Sequence, residues 1–198
     1  MPSGYGTELI RHMGSRSLVL LSGGVDSSAC VAFYRKLGYT IEALFVDYGQ
    51  PARDAERAAA SAIANHYSIP LQNVTCEGPP ASFSGEIMGR NALLVFVALL
   101  YNPTWSGIIA LGIHAGTRYY DCQKPFVDDL SRIVTGYSDG RTVLGTPFQA
   151  WSKAAIWNFC LETNVPLHLT WSCEVSPTRP CGTCLSCRDR EALHARSK

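Results

Sequence analysis

An α/β fold built on a Rossmann-like, parallel five-stranded sheet is what this sequence predicts, on three observations. Short apolar runs alternate with helix-length segments along most of the chain. The runs end in polar, often glycine-bearing loops. The 198 residues, 46% of them apolar, are enough to bury one sheet between two helical layers. Residues 18–21 (Leu-Val-Leu-Leu) read as a buried strand that runs into Ser22-Gly23-Gly24-Val25-Asp26-Ser27-Ser28. A helix beginning near Asp26 continues through residues 29–37 and stops at Gly38. Residues 41–46 form the second strand, closing in Asp47-Tyr48-Gly49-Gln50. Pro51 opens an Ala-rich helix to Tyr67, with Arg53, Asp54, Glu56 and Arg57 on its wet side. Residues 71–76 give a third strand, and 77–89 a loop long enough to serve function. Residues 91–101 are apolar nearly all round, which predicts a helix buried in the core or at a subunit interface. A fourth strand (107–112), a polar loop (114–121), an amphipathic helix (125–135), a short strand (142–144) and a helix (152–163) follow. In such sheets ligands sit beyond the carboxyl ends of the strands, so the strand-end loops are where a site is expected. The organisation expected is an α/β domain over residues 17–165 with a C-terminal segment, 166–198, packed on it.

Composition removes several functions. Seventeen basic residues face 16 acidic ones and no basic run stands out, so no direct nucleic-acid binding is expected. No apolar stretch approaches the ~18 residues a membrane span needs, and the first sixteen residues lack the apolar core of a secretory signal. A cytoplasmic protein is expected, in which disulfides are rare. Charged residues make up 17% of the chain, against roughly 25% in an average soluble domain; the deficit points to extra buried surface, most simply a homodimer interface.

Two groups of residues carry chemistry. In Ser22–Ser28 the glycines let successive N–H groups turn inward as an anion nest. The helix start adds its positive end and Ser27 and Ser28 add hydroxyls, which suits a pyrophosphate-sized ligand. The string lacks the Gly-Lys-Ser/Thr of a Walker A loop and the Gly-x-Gly-x-x-Gly of a dinucleotide fold. The second group, Cys173-x7-Cys181-x2-Cys184-x2-Cys187, places four thiols within fifteen residues. Four thiolates suit a closed tetrahedral Zn²⁺ site, structural because no position is left for water; an iron–sulfur cluster is the other metal reading. His168 and His194 are surplus to the set.

The Ser-Gly-Gly-x-Asp-Ser string resembles the PP-loop of ATP pyrophosphatases. Joined to Asp47-Tyr-Gly-Gln50, Gly89-Arg-Asn91, Tyr120-Asp-Cys122, Thr146-Pro147, Ser152-Lys153 and Thr170-Trp-Ser-Cys173 ahead of the cysteines, it resembles the QueC family of 7-cyano-7-deazaguanine synthases from Leu18 to about Ala192. The resemblance implies a sheet of the adenine nucleotide alpha-hydrolase type and ATP-dependent conversion of a deazaguanine carboxylate to a nitrile, with ammonia as nitrogen source. It implies ATP, Mg²⁺ and Zn²⁺ as cofactors. Leu21, Ser22, Gly23, Gly24, Val25, Asp26, Ser27, Ser28 and Asp47 are expected to hold the nucleotide. Lys153 is expected on the leaving pyrophosphate, with Asp26 and Arg90 beside the reaction. Tyr48, Gln50, Arg90, Asn91 and Asp121 are expected on the substrate, and His114 is a candidate base. Ordinary structural roles stand beside these: a helix cap for Asp26 or Asp121, a strand-end turn for Asp47.

The match departs from the family in three respects. The 77–89 loop is shorter than the usual substrate loop, Met88 stands where Pro is common, and Ala115-Gly-Thr-Arg-Tyr-Tyr120 replaces a stretch that usually opens on an acidic residue. Similar proteins also accompany phage DNA modification and antiviral gene clusters, where the acceptor of the activated carboxylate is another amine, including a protein amine. A PP-loop tRNA-modifying enzyme is the third reading; the balanced charge counts against it.

Overall fold

Alternation along the strands divides the apolar side chains between two cores. β1 (Arg16–Leu20) sends Leu18 and Leu20 to one face of the sheet and Val19 to the other. β2 (Thr40–Asp47) likewise separates Leu44 and Val46 from Ile41, Ala43 and Phe45. β3 (Leu71–Thr75), β4 (Gly107–Ala110) and β5 (Thr142–Gly145) complete the sheet. All pairings are parallel, in the order β3-β2-β1-β4-β5. The computed structural model describes residues 15–77 and 87–196; most of the long loop expected over 77–89 lies outside them.

The helices are α1 (Val25–Lys36), α2 (Arg53–Tyr67), α3 (Arg90–Tyr101), α4 (Lys124–Tyr137), α5 (Lys153–Glu162) and α6 (Leu185–Arg196). Residues of α1, α2, α5 and α6 share a core with Val19 and Phe45; those of α3 and α4 share the opposite one with Leu18 and Leu44. The elements anticipated from sequence are present. β4 is shorter than expected, although the Leu111 amide still bonds to the Gly145 carbonyl at 2.9 Å. α6 was not anticipated. Five of its 12 residues are charged, and Cys187 and Leu193 are its buried side chains, so no apolar stripe announces it. None of the helices among the described residues is long and apolar enough to cross a membrane.

Strand order reverses direction between β1 and β4, since the connections leaving them run to opposite sides. That switch point opens a crevice at the carboxyl ends of the central strands.

Candidate active site and cysteine cluster

A cavity of about 600 Å³ occupies this crevice, walled by the ends of β1, β2 and β4, the first turns of α1 and α3, and the C-terminal segment. Of the residues expected to cradle phosphate, Leu21, Ser22, Gly24, Val25, Asp26 and Ser27 line it, while Gly23 and Ser28 do not. The first bond of α1 runs from the Ser28 amide to the Gly24 carbonyl (3.0 Å), so the amides of Val25, Asp26 and Ser27 precede the helical ladder. The Ser22 and Ser27 hydroxyls meet at 3.1 Å, and Ser27 also donates to the Gly24 carbonyl at 3.1 Å. Ser28 is wholly buried with its hydroxyl unpartnered.

Gly23 has φ +78°, and a Cβ there would lie 2.6 Å from the Ala60 amide nitrogen; this glycine lets α2 approach. Gly24 is different. Its φ of −75° suits any residue, and a Cβ would meet nothing nearer than Ser22 Oγ at 3.4 Å. Neither backbone nor neighbouring protein atoms demand glycine at 24, yet its bare face borders the cavity.

Lys153, the first residue of α5, is placed by Ser152, whose hydroxyl accepts from the Ala155 amide at 3.2 Å. Its ammonium pairs with Asp26 Oδ2 across the cavity floor. Asp26 Oδ1 is buried and makes no hydrogen bond. His114 Nε2 lies 3.9 Å from Asp26 Oδ2, while His114 Nδ1 accepts from the Gly116 amide at 3.0 Å. Burial holds this imidazole below its usual pKa, against the pull of Asp26. A neutral ring whose Nδ1 accepts carries its proton on Nε2. The His114 ring thus stands at the cavity with Nδ1 taken by the Gly116 amide and Nε2 toward Asp26.

Beyond the end of β2 the residues separate. Asp47 is 6% exposed, accepts from the Gly49 amide at 3.0 Å, pairs with Arg57 and does not line the cavity; its position is that of the strand-end turn. Tyr48, Gln50, Arg90 and Asn91 do line it. Burial raises the Tyr48 hydroxyl, with Arg90 acting the other way. Asp121 stands back from the cavity. It is buried, and its Oδ2 accepts from the Asn91 amide (3.3 Å) at the start of α3, while Asn91 Nδ2 donates to the Asp121 carbonyl (3.0 Å). The helix it caps is α3, where the sequence suggested the one following residue 121. Glu56 corrects the expectation for α2: it turns from the wet side into the cavity. Burial raises its pKa, and its Oε2 accepts from Gln50 Nε2 at 2.9 Å. No signal separated Glu56 from its charged neighbours in the sequence.

The C-terminal segment supplies the remaining wall, through Trp171, Ser172, Glu174, Ser186, Asp189 and Arg190. Trp171 donates its amide to the Gly23 carbonyl at 2.9 Å, tying this segment to the phosphate loop. Arg190 fastens it internally, donating to the carbonyls of Leu167 (2.7 Å) and Thr170 (2.9 Å) and to the hydroxyls of Thr170 and Ser172. Here Cys173, Cys181, Cys184 and Cys187 bring their sulfurs within 4.8 Å of one another. Ligands 2.3 Å from one tetrahedral ion stand ~3.8 Å apart, so the set fits a single ion with little adjustment. The Thr183 hydroxyl and the Cys184 and Thr183 amides all point at Cys181 Sγ and lower its pKa, favouring its thiolate, whereas burial pushes the Cys187 thiol up.

Comparison with known proteins shows the family of the chain. The family model described as "Queuosine biosynthesis protein QueC" matches residues 16–80 and 69–197. A 7-cyano-7-deazaguanine synthase from Synechococcus sp. (strain RCC307) is 31% identical, with 91% of this chain and 94% of that protein covered. One from Methanoculleus marisnigri is 32% identical over 88% and 91%. Among solved structures, the NMN synthetase of Francisella tularensis has the same fold (TM-score 0.56, 14% identity, 98% of this chain and 92% of that one). Matched by this family model along nearly its whole described length, the chain belongs to the QueC family.

Proposed function

We propose that this protein uses ATP to adenylate 7-carboxy-7-deazaguanine, releasing pyrophosphate, and converts the activated acid with ammonia to 7-cyano-7-deazaguanine. The observation that carries this reading is the Lys153–Asp26 pair beside the bare face of Gly24 and the open N-terminus of α1, in one cavity. A carboxylate is a poor electrophile and must first attack the α-phosphorus of ATP. Negative charge then builds on the departing pyrophosphate, and fixed donors that meet it need no reorganisation. The amides of Val25, Asp26 and Ser27 and the Lys153 ammonium are such donors. Ammonia displaces AMP to give the amide, and a second adenylation of the amide oxygen permits its loss to the nitrile. Arg90, in the cavity wall, has the planar fork that pairs with the substrate carboxylate. Asp26 Oδ1, buried and unpartnered, is the oxygen that would hold Mg²⁺, which neutralises triphosphate charge when bound.

The cysteine set would hold Zn²⁺ as a structural ion, because four thiolates close the coordination sphere and their spacing suits one ion. A homodimer is the assembly we propose, on the exposed apolar strip of α3 and α4.

Incubation with ATP, Mg²⁺ and 7-carboxy-7-deazaguanine, with and without ammonium, tests the function by mass spectrometry. The nitrile is expected only with ammonium, alongside AMP and pyrophosphate; substrate-independent or absent pyrophosphate release would overturn it. Asp26→Ala leaves the Lys153 ammonium without its partner and should lower kcat/KM about 10²–10³-fold, with metal content unchanged.

A further inference from the structure

Glu56 is an acceptor pair in search of donors. One oxygen is held by Gln50, and among the described residues no lysine or arginine forms an ion pair with it and no donor reaches Oε1. An ionised carboxylate walled into a cavity is costly unless hydrogen bonds compensate. Gln50 is already spent: its Oε1 accepts from the Tyr48 amide (2.9 Å), and its amide nitrogen donates to the Val46 carbonyl (3.3 Å) and to Glu56. Both of its N–H donors are used and its oxygen is held by the Tyr48 amide, so its place at the cavity wall serves to aim Glu56.

We infer that Glu56 reads the pyrimidine edge of a guanine-type substrate, accepting its ring N1–H and 2-amino group, and so sets which base this site takes. This rests on the function proposed above, to which it adds the residue that recognises the ring. The chemistry excludes the other base present in the reaction. An ionised carboxylate only accepts; the corresponding edge of adenine offers an amino donor beside an acceptor nitrogen, which two carboxylate oxygens cannot satisfy. A guanine-type edge offers two adjacent donors, matching a carboxylate as the guanidinium fork does. Tyr48 and Arg90 lie in the same part of the cavity, and Arg90 acts electrostatically on both Tyr48 and Glu56. Cation and carboxylate together complement a ligand with an acid at one end and an amidine at the other.

The test is calorimetry on the full-length, metal-loaded protein with 7-carboxy-7-deazaguanine, its analogue lacking the 2-amino group, and a non-hydrolysable ATP analogue. The wild type is expected to bind the amino-bearing acid at least about tenfold more tightly than the analogue. In Glu56→Gln that ratio should fall to about one, with affinity for the ATP analogue changed less than about twofold. A ratio that survives in E56Q, a wild type that does not discriminate or does not bind the acid, or a loss that appears only in ATP-analogue binding would each overturn the assignment. Should E56Q fail to fold, Glu56→Asp withdraws the same acceptors by one methylene and should cut the ratio at least about threefold; an unchanged ratio there also overturns it. Discrimination as expected without pyrophosphate release would retain Glu56 as the reader and remove the adenylation chemistry instead.

Discussion

At Gly23 a Cβ would stand 2.6 Å from the Ala60 amide nitrogen with φ at +78°, whereas at Gly24 it would meet only ordinary contacts at φ −75°. The consequences of adding one methyl should therefore divide. Gly23→Ala combines left-handed backbone strain with overpacking against α2 and should cost about 2–4 kcal/mol in urea unfolding. Gly24→Ala should stay within about 1 kcal/mol of the wild type yet lose at least tenfold in pyrophosphate release, because its methyl intrudes where phosphate is proposed to lie. Equal destabilisation of the two would remove the distinction. Much of this loop was legible in the sequence, since Gly-Gly between an apolar run and a helix has few other uses. Other residues were not, for a physical reason: Glu56, Gln50 and Asp47 are all polar residues near one strand end, and only packing decides which faces the cavity. Asp47 is consumed by Arg57 and Gly49, Gln50 by Tyr48, Val46 and Glu56, and Glu56 is left with an open oxygen.

Among the elements, α3 shows how an apolar composition is divided by its surroundings. Asn91, Val95, Val97 and Ala98 are buried against the sheet, while Leu93, Phe96, Leu100 and Tyr101 remain exposed, Leu100 by 74%. The Phe96 ring meets Tyr137 of α4 edge-on at 6.4 Å between centroids, and Ile133 and Tyr137 are exposed too, so the two helices present one apolar strip. Contiguous apolar surface of this kind marks an interface. The sequence left core and interface open for this helix, and the structure buries one face in the core and leaves the other exposed. Light scattering should find two chains per particle for the wild type and one for Leu100→Lys, with the melting temperature of the isolated chain little changed because Leu100 contributes little to the core. A monomeric wild type would sink the proposal. The opposite failure of legibility is α6, a helix whose charged residues outnumber its buried ones; it is held through Arg190 and Leu193 rather than by an amphipathic stripe of its own.

For the whole molecule, what matters is that the cysteine-bearing segment and the Ser22–Ser28 loop share a wall. Trp171 bonds to Gly23, the Trp171 carbonyl flanks Gly24, and Arg190 fixes the turn between them and α6. A metal held by four thiolates contributes on the order of 10 kcal/mol to ordering the segment that carries them. Without it, the short stretch from Cys173 to Cys187 has little apolar burial to replace that contribution, since most of its residues are exposed or half-exposed. Metal loss should thus be felt at the ATP site although no cysteine lines the cavity among the described C-terminal residues. Elemental analysis should find one zinc per chain, with no visible absorption from iron–sulfur chromophores. Chelation, or Cys184→Ser, should then lower the melting temperature and weaken binding of an ATP analogue at least about tenfold. Circular dichroism should lose little more than the 12-residue contribution of α6, because the parallel sheet and its other five helices have their own cores. Full nucleotide affinity in the metal-free protein would show that the phosphate loop keeps its shape without the segment behind it.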